Sequence, residues 1–518
     1  MDQPLSLPDL LRSAAARWPD QEAIACELGD RKISFGMLDA WSDRLAAVLI
    51  EKGVHPGDVV SVMLPNRIEF PVLWLGILKA GAIMTPINVS YRREDRNHLI
   101  SHSNAVAFVG EAAAIASVEN DRELFPKLVW VATPEELESS SHSVAVGGLP
   151  RVHPFSTANI QYTSGTTGMP KGCVLSHAYW VRFGQTFLHH GPRLTSQDRI
   201  LTAQAFSYAD PQWNVAAALA SGASLTILEK FSPSRFWKQV GEARTTFFYC
   251  LGAMPTLLLK TPPSHLERDH QVRLVICSAI PPDRHRELEE RFGMPWLEAF
   301  GTTETGADLI VDVEEHDALV GSGSLGCPVA GKEARIVDAS GHPLPPGSVG
   351  ELAIRGVGMM ERYHDDPDAT ARTFRGGSYH TGDLAVQDAH GRFIYVGRTK
   401  DMIRRGGENV AAVEVEAVLQ SHPDVLLAAC VPVPDEIYGE EIKAFVVLRN
   451  GAEGDGASAA DMKALYNHVA ARLARFKIPR YWEAVASLPM TPSERVIKPA
   501  LVASETRPPR GIDLAGDR

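Results

Sequence analysis

Cysteine is scarce in this sequence, and the few cysteines follow no functional pattern. Six are spread over 518 residues, with no Cys-x-x-Cys pair and no spacing typical of metal ligands. This distribution argues against a disulfide framework and against a cysteine-based metal centre. It indicates a reducing compartment, and we expect a cytoplasmic protein.

Long apolar runs and an excess of positive charge are also missing. The most apolar region, 70–87, is interrupted by Lys79 and Pro86 and is too short to cross a bilayer, so it is predicted to form a buried helix, Glu69–Ala80. Segment 1–20 lacks the basic, apolar and cleavage regions of a secretory signal, and we expect no membrane anchor. The formal charge of −12 argues against a nucleic-acid partner bound by overall charge.

The length and texture of the chain predict an α/β protein of more than one domain. A chain of 518 residues exceeds what one core usually supports. Helical and strand-like segments alternate up to residue 330, which predicts wound α/β layers, and short strands with turns at 331–396 predict a β-rich subdomain. A small α+β unit follows Lys400. We expect a surface loop at 136–148 and a disordered tail after Ser504.

The most informative stretch is 162–172, which reads YTSGTTGMPKG. Its glycines let the backbone approach a ligand closely, its hydroxyls can donate hydrogen bonds, and its backbone N–H groups together with Lys171 favour an anion. A polyphosphate fits this loop. The pattern is not G-x-x-x-x-G-K-[ST], because Gly172 stands where that motif requires a hydroxyl.

This stretch resembles the phosphate loop of the acyl-adenylate-forming superfamily, which contains the acyl-CoA synthetases, the adenylation domains of peptide synthetases and beetle luciferase. The resemblance is closest to acyl-CoA ligases. It implies an N-terminal adenylate-binding domain, 1–399, and a mobile C-terminal domain, 400–518, with a hinge at Lys400. The cofactors implied are ATP or AMP, Mg²⁺ and coenzyme A. The phosphate-binding residues implied are Thr163, Ser164, Gly165, Thr166, Thr167, Gly168 and Lys171.

Two further motifs resemble nucleotide-binding segments of that family. In EAFGTTETG, 298–306, the resemblance places the Phe300 ring against adenine and makes Glu304 a magnesium ligand. One carboxylate is sufficient because Mg²⁺ usually keeps several waters. In YHTGD, the resemblance makes Asp383 the acceptor for both ribose hydroxyls. The remaining residues implied near the nucleotide are Gly301, Thr302 and Thr303.

The segment 397–416 also matches the family over most of its length. The resemblance assigns Arg398 to the ribose and Lys400 to the hinge. It further implies that Gly406 and Gly407 line a pantetheine tunnel after the domain rotates, where side chains would block it. A simple hairpin turn would use the same two glycines.

One motif departs from the family. The C-terminal signature P-R-T-P-T-G-K-I-x-K corresponds here to PMTPSERVIK, 489–498, in which Glu494 replaces glycine and Arg495 replaces the lysine that the family uses in adenylation. Arginine keeps the charge but not the compact ammonium. Losing one well-placed electrophilic contact costs about 10²- to 10³-fold in rate. Lys498 could supply the charge in a shifted register.

The acyl pocket is predicted from a second departure. The family commonly has an aromatic-His pair where this chain has AFSYAD, 205–210, and it has Gly-Gly-Ala where this chain has CSA, 277–279. Such pockets are mostly apolar, and we expect a bulky, uncharged hydrophobic acid. The predicted lining residues are Tyr208, Asp210, Trp213, Ser278 and Ala279.

These motifs predict an acyl-CoA ligase that retains thioester formation and whose adenylation is weakened or lost. The alternatives are a complete ATP-dependent synthetase that tolerates arginine, and a protein that binds nucleotide or acyl-adenylate without turnover. A carrier-loading adenylation domain is disfavoured because no carrier domain follows. A homodimer and a separate adenylating enzyme are both compatible with the sequence. The catalytic residues predicted are Arg495, Lys498, Lys400, Thr303 and Glu304.

Overall fold

A computed structural model of the chain describes residues 5–27, 30–163, 170–405, 408–435, 437–449, 459–491, 496–505 and 509–514. The helices in these ranges are, in chain order, α1 (Leu7–Arg17), α2 (Phe35–Glu51), α3 (Glu69–Lys79), α4 (Arg93–His102), α5 (Ala112–Glu119), α6 (Pro134–Ser141), α7 (His177–His189), α8 (Ala209–Ser221), α9 (Phe236–Glu242), α10 (Met254–Lys260), α11 (His285–Phe292), α12 (His316–Leu319), α13 (Pro367–Thr373), α14 (Ala412–Gln420), α15 (Ala459–Ala470) and α16 (Lys498–Ala503).

The strands of the same ranges follow in chain order. They are β1 (Glu22–Cys26), β2 (Arg31–Ser34), β3 (Val59–Met63), β4 (Ile83–Pro86), β5 (Ala107–Gly110), β6 (Trp130–Ala132), β7 (Thr157–Thr163), β8 (Lys171–Ser176), β9 (Arg199–Thr202), β10 (Ser224–Ile227), β11 (Phe247–Leu251), β12 (Leu274–Ser278), β13 (Trp296–Thr302), β14 (Gly306–Ile310), β15 (Ser324–Pro328), β16 (Lys332–Val337), β17 (Val349–Gly356), β18 (Arg362–Tyr363), β19 (Phe374–Arg375), β20 (Ser378–Gln387), β21 (Phe393–Arg398), β22 (Met402–Arg405), β23 (Glu408–Ala411), β24 (Val425–Asp435), β25 (Gly439–Leu448), β26 (Tyr481–Ala484) and β27 (Ile512–Asp513).

The strands form three sheets, which confirms the predicted α/β class. One sheet has the order β16-β17-β20-β21-β15-β14-β13-β12-β11-β9-β10-β1-β2, with β19 beside β20, and another has the order β18-β8-β7-β4-β3-β5-β6. The third has the order β23-β22-β25-β26-β27, with β24 beside β25. In the first sheet β11, β12 and β13 are parallel, whereas β13, β14 and β15 are antiparallel. The direction therefore changes at β13, the strand that carries Phe300.

The apolar runs of the sequence lie inside this architecture. The strand β3, VVSVM, is buried at every position, as expected of a parallel strand covered on both faces. Every residue of α3 is buried, which confirms the predicted buried helix. Its Lys79 is fully enclosed and pairs with Asp39 at 2.5 Å and Asp43 at 2.6 Å, so the buried ammonium has two carboxylate partners.

The third sheet has hydrophobic cores of its own. One cluster extends from Ile403 to Leu514 and contains no residue from the first two sheets, and a smaller cluster packs on the other face of β24 and β25. Lys400 lies in the single 3₁₀ turn Thr399–Asp401 between β21 and β22. The division into two units is thus visible in the packing, and the predicted hinge lies in the segment between them.

Two local expectations are wrong. The first half of the predicted loop at 136–148 belongs to α6, because Thr133 and Glu136 form a reciprocal capping box that starts a helix. The tail after Ser504 is not wholly irregular, since β27 pairs with β26 and Leu514 is buried. Within the described ranges, no helix is both long and apolar enough to cross a membrane.

Candidate active site

The predicted phosphate loop joins two antiparallel strands. Thr163 at the end of β7 pairs with Lys171 at the start of β8, so these two strands form a hairpin, and residues 164–170 join them in the sequence. The Lys171 ammonium lies 5.1 Å from the centre of the Tyr363 ring, a cation–π contact. The predicted phosphate ligands outside the described residues are Ser164, Gly165, Thr166, Thr167 and Gly168.

Glu304 lies in the turn between β13 and β14. Its Oε1 accepts a hydrogen bond of 3.0 Å from the Tyr363 hydroxyl, and its carbonyl accepts one of 2.7 Å from the Met360 N–H. Burial, followed by the Glu304 charge, raises the pKa of Tyr363, so the phenol remains a donor. Tyr363 therefore contacts both Lys171 and Glu304 and connects two motifs that are far apart in sequence.

The predicted adenine-binding segment that precedes Glu304 is held in place by contacts with β14 and α7. A Cβ at Gly301 would lie 2.2 Å from the Gly306 carbonyl oxygen, so only glycine fits this close approach. The Thr302 and Thr305 hydroxyls are 2.9 Å apart, and Thr303 accepts a hydrogen bond of 3.0 Å from the Tyr179 hydroxyl. These contacts fix the turn on which Glu304 projects.

Asp308 and Lys332 support the same turn from the interior. The Thr305 hydroxyl donates to Asp308, the Lys332 ammonium donates to the Thr305 carbonyl, and the Lys332 ammonium lies 3.3 Å from Asp308. Burial raises the pKa of Asp308 to about 6, against the opposing effect of Lys332. Neither residue was singled out from the sequence, because neither belongs to a recognisable motif.

Asp383 and Arg398, the predicted ribose ligands, lie directly opposite each other on β20 and β21. The Arg398 Nε donates to Asp383 Oδ1 at 3.0 Å, and the Asp383 N–H donates to the Thr381 hydroxyl at 3.0 Å. Burial lowers the pKa of Arg398, but Asp383 outweighs it and the pKa is raised. The arginine therefore stays charged and orients a nearly buried carboxylate.

Lys400 lies close enough to the phosphate hairpin to sense its charge. Lys400 is exposed as a residue, and its pKa is lowered by partial burial of the ammonium and then by Lys171 and Arg398. The described residues thus bring three cations, Lys171, Arg398 and Lys400, from two motifs near the hairpin of β7 and β8. Such clustering is costly unless an anion balances it, which fits a polyphosphate ligand.

The strands β22 and β23 flank the other glycines of the hinge segment and pair with each other, with Arg405 opposite Glu408. Gly406 and Gly407 lie outside the described residues. The hairpin that the sequence allowed as an alternative is present in the flanking strands. A tunnel-lining role for the two glycines stays a prediction.

Lys498 is held by two carboxylates. It begins α16, its side chain is 16% exposed, and its ammonium pairs with Glu416 at 2.8 Å and Asp401 at 3.5 Å. Glu416 also accepts the Cys430 N–H at 2.6 Å. Burial lowers the pKa of Lys498, but the two carboxylates outweigh it and keep the lysine charged. Glu494 and Arg495 lie outside the described residues.

The predicted pocket residues occupy two different environments. Tyr208 accepts a hydrogen bond of 3.3 Å from Asn88, and Ser278 joins the Tyr249 hydroxyl to the Ala299 carbonyl through two contacts of 2.7 Å. Ser278 and Tyr249 lie beside the predicted adenine-binding segment, because Ala299 immediately precedes Phe300. Asp210 lies in the first turn of α8, next to Tyr208.

Trp213 is buried, whereas Ala279 is exposed. Trp213 is 7% exposed, stacks on Phe183 with 4.4 Å between ring centres, and donates to the Tyr179 hydroxyl at 3.2 Å. Ala279 has a left-handed φ of 74°, and its N–H donates to Glu298 at 2.7 Å. Burial raises the pKa of Glu298 to about 8, against the N–H groups of Ala279 and Ile280. Trp213 is thus part of the hydrophobic core, and a place in the acyl pocket stays a prediction for both residues.

A separate cluster near α11 has the residue types of a metal centre. Ligand atoms of His285, Glu289 and His316 lie within 4.8 Å of one another. However, His285 Nε2 contacts the Trp296 carbonyl at 2.7 Å and its Nδ1 accepts the Gly321 N–H at 3.2 Å, while His316 contacts Glu289 at 2.6 Å. Both nitrogens of His285 are therefore engaged, and the cluster serves as a hydrogen-bonded ion pair.

Comparison with known proteins identifies the family. The profile described as AMP-binding enzyme matches residues 11–364, and the profile described as AMP-binding enzyme C-terminal domain matches residues 414–495. The chain belongs to the AMP-binding enzyme family.

The similar members of the AMP-binding enzyme family are acyl-CoA ligases. The sulfoacetate–CoA ligase of Cupriavidus necator is 33% identical over 95% of this chain and 96% of its own length. The crotonobetaine/carnitine–CoA ligase of Escherichia fergusonii is 33% identical over 92% of this chain and 95% of its own. These matches place the chain among the acid–thiol ligases, as the motifs predicted.

One protein of known structure is similar in two states. ATP-bound MatB from Rhodopseudomonas palustris has a TM-score of 0.86 and 26% identity over 96% of this chain and 99% of its own. The apo form of the same protein has the same identity and coverage but a TM-score of 0.76. The conformation of this AMP-binding enzyme is thus more similar to the ATP-bound form.

The arrangement fits the chemistry of an adenylate site. Positive charge near the hairpin of β7 and β8 comes from Lys171, Arg398 and Lys400. The Asp383 carboxylate can accept hydrogen bonds from two hydroxyl groups. Glu304 offers a carboxylate whose orientation Tyr363 holds, which suits a hard cation with oxygen ligands. The sequence had singled out these residues except Tyr363, whose contribution depends on the pairing of β18 with β8.

Proposed function

We propose that this protein forms CoA thioesters from carboxylic acids through an acyl-adenylate, with thioester formation retained and adenylation weakened. In this proposal Lys171 and the predicted loop residues 163–168 bind phosphate, Asp383 and Arg398 hold the ribose, and Glu304 holds Mg²⁺. When bound, Mg²⁺ neutralises phosphate charge. Lys400 is the hinge about which the C-terminal unit changes its position between the two half-reactions.

The position of Lys498 carries the proposal of weakened adenylation. The family lysine is replaced by Arg495, and the only nearby substitute by sequence is Lys498. Its ammonium is paired with Glu416 and Asp401, so using it at the phosphate would leave two carboxylates without their cation. Arg495 is then the remaining candidate, and its planar guanidinium is a poor substitute at a site built for a compact ammonium.

The first experiment compares two routes to the same thioester. One reaction contains acid, MgATP and CoA, and the other contains the presynthesised acyl-adenylate and CoA. We expect the second route to be faster by about 10²-fold, the typical cost of losing one electrophilic contact. Equal rates would favour a complete ATP-dependent synthetase. Binding of the adenylate without thioester from either route would favour a non-catalytic binding protein.

The substrate proposal has two candidates. The partly apolar pocket predicts a bulky, uncharged acid. The hydroxyl groups of Tyr208, Tyr249 and Ser278 favour a shorter acid that carries a polar group, in keeping with the sulfoacetate, crotonobetaine and carnitine named for the relatives. A screen of these three acids against aryl and medium-chain fatty acids, each also supplied as its adenylate, separates the two candidates.

A weak adenylating activity implies a source of adenylate. The proposal therefore includes a separate adenylating enzyme as a partner, and a homodimer stays a prediction of the sequence. Adding a second ligase that makes the adenylate should then raise the thioester yield of this protein. If the yield does not rise while the presynthesised adenylate still reacts, transfer between the two enzymes is excluded.

A further inference from the structure

We infer that Lys260 is a positioning residue that holds the C-terminal unit in the arrangement used with ATP. The inference rests on the hinge of the proposed function, and it adds a contact outside the nucleotide motifs. It concerns the face of the first unit that the C-terminal unit touches.

Lys260 joins the two family domains directly. It is the last residue of α10, within the 11–364 match, and its ammonium donates to the carbonyl groups of Val425 and Leu426, within the 414–495 match. These two carbonyls begin β24. An ammonium has three donors and no acceptor, so two backbone carbonyls suit it well.

The carbonyls are available because β24 is irregular at this point. Its pairing with β25 shifts between Val425 and Leu427, which leaves Leu426 outside the regular register. A residue at such a bulge has backbone groups that the neighbouring strand does not satisfy. The contact therefore uses an acceptor that the third sheet leaves open, and Lys260 satisfies it across the interface.

The surroundings of Lys260 make this contact specific to one arrangement. The ammonium is partly buried, and Arg284 of the first unit and Arg449 of the second lie near it, so that burial and the two cations lower its pKa to about 7. An enclosed lysine beside two arginines is unfavourable unless the carbonyls compensate. Rotation of the C-terminal unit would remove the carbonyls and Arg449 together.

The arrangement itself is the one similar to the ATP-bound state. The same relative, at the same identity and coverage, fits with a TM-score of 0.86 in its ATP-bound form and 0.76 in its apo form. Since sequence and length are constant between these two comparisons, conformation is what differs. We therefore assign the Lys260 contact to the arrangement that resembles the ATP-bound relative.

The test measures the arrangement without needing the acid. Spin labels are placed at the exposed positions Lys238→Cys and Asn467→Cys, with the half-buried Cys327 replaced by serine and the buried cysteines retained. Double electron–electron resonance then gives the distance between the units, with and without MgATP. We expect MgATP to enrich one distance in the otherwise unchanged protein.

Lys260→Met keeps the apolar stem but removes the donors. We expect it to lower the ratio of the ATP-enriched distance to the others by about tenfold, the equivalent of one hydrogen bond to a charged group. The matched control is Lys127→Met, an exposed lysine of the first unit, which should match the parent protein. An unchanged distribution in Lys260→Met overturns the inference.

Arg449→Gln approaches the same contact from the other unit. Removing this exposed cation lowers the repulsion at Lys260, so the ATP-enriched distance should gain about twofold. A loss in this variant also overturns the inference. In the activity assays, Lys260→Met should slow pyrophosphate release from acid and MgATP about tenfold and change thioester formation from adenylate by less than about twofold. Absence of any turnover would count against the proposed function alone, because the distances are measured independently.

Discussion

Two lysines in this protein, Lys171 and Lys498, belong to motifs that handle phosphate in the resemblance, yet their surroundings differ. Lys171 lies against the face of the Tyr363 ring, in the hairpin of β7 and β8. Lys498 is enclosed between Glu416 and Asp401. A cation held by an aromatic face can still attract phosphate, whereas one neutralised by two carboxylates cannot do so without leaving them. The partners of a lysine, more than its place in a motif, therefore decide its role.

The largest loss of activity is expected from Glu304→Gln, in the turn between β13 and β14. The amide keeps the shape and the hydrogen bond from Tyr363 but loses the charge that suits Mg²⁺. We expect pyrophosphate release from acid and MgATP to fall by about 10³-fold, and thioester formation from adenylate to fall much less. Glu315→Gln, at an exposed glutamate, is the control. Equal losses in both assays would mean that Glu304 serves the adenylate itself.

Lys498→Met tests the ion pairs that Lys498 makes with Glu416 and Asp401. The variant leaves Glu416 and Asp401 without a cation, and breaking a buried pair in this way costs about 3 kcal/mol. Hydrogen exchange of β24 and β25 amides measures this loss in the unit itself. Lys477→Met, whose partner Glu414 is 40% exposed, should cost less than about 1 kcal/mol. If ATP-dependent turnover falls far more than thioester formation, Lys498 acts on the phosphate after all.

Restoring the family residues at positions 494 and 495 should bring the rate of the ATP-dependent reaction closer to the rate obtained with presynthesised adenylate. In Glu494→Gly with Arg495→Lys, a compact ammonium and a flexible backbone return to the signature. We expect ATP-dependent turnover to rise about tenfold, with thioester formation from adenylate unchanged. Arg475→Lys, at an exposed arginine of the same unit, controls for the change of residue type. No increase would show that arginine performs the adenylating role fully.

The smallest effect is expected from the ion pair between His316 and Glu289, which lies outside the nucleotide motifs and outside the C-terminal unit. Hydrogen bonding to Glu289 raises the pKa of His316 above its usual 6.5, so this stabilisation is complete below pH 6.5 and is lost as the pH rises through the raised value. Burial raises the pKa of Glu289, but its hydrogen bonds to His285 and His316 outweigh burial and lower the pKa to about 2. The stabilisation from the Glu289 carboxylate is therefore present above pH 4.5 and is lost as the pH falls toward 2.

His316→Gln should therefore cost about 1 kcal/mol near pH 5.5 and less near pH 9. Melting temperatures of the variant and the parent protein, measured at both values, give the difference. His342→Gln, at an exposed histidine, should show no such dependence. A cost that is equal at both pH values would mean that the pair stays neutral.

The sequence predicted the parts of the site that lie within short segments. Asp383 and Arg398 were found from their motifs, and the register of β20 and β21 places them opposite each other. Tyr363 was missed because its bond to Glu304 spans 59 residues and depends on how a two-residue strand joins β8. No local pattern encodes such a contact.

In the fold, and at the interface between the two units, local signals were likewise predictable from the sequence and long-range contacts were not. Apolar periodicity predicted the α/β layers and the buried α3, because burial leaves a signal in each segment. The capping box of α6 was overlooked beneath a serine-rich composition. The bond from Lys260 to Leu426 spans 166 residues and uses a backbone carbonyl, which has no signature in the sequence.

The ion pair between Lys498 and Asp401 makes the predicted hinge dependent on the C-terminal tail. Asp401 follows the hinge residue, and its cation comes from the last helix, close to the C-terminal end of the described residues. A protease that removes the chain from Lys498 onward would leave Asp401 and Glu416 facing each other with no positive charge between them. Loss of the tail would then change the surroundings of the predicted hinge, although the predicted nucleotide-binding motifs would keep all their residues.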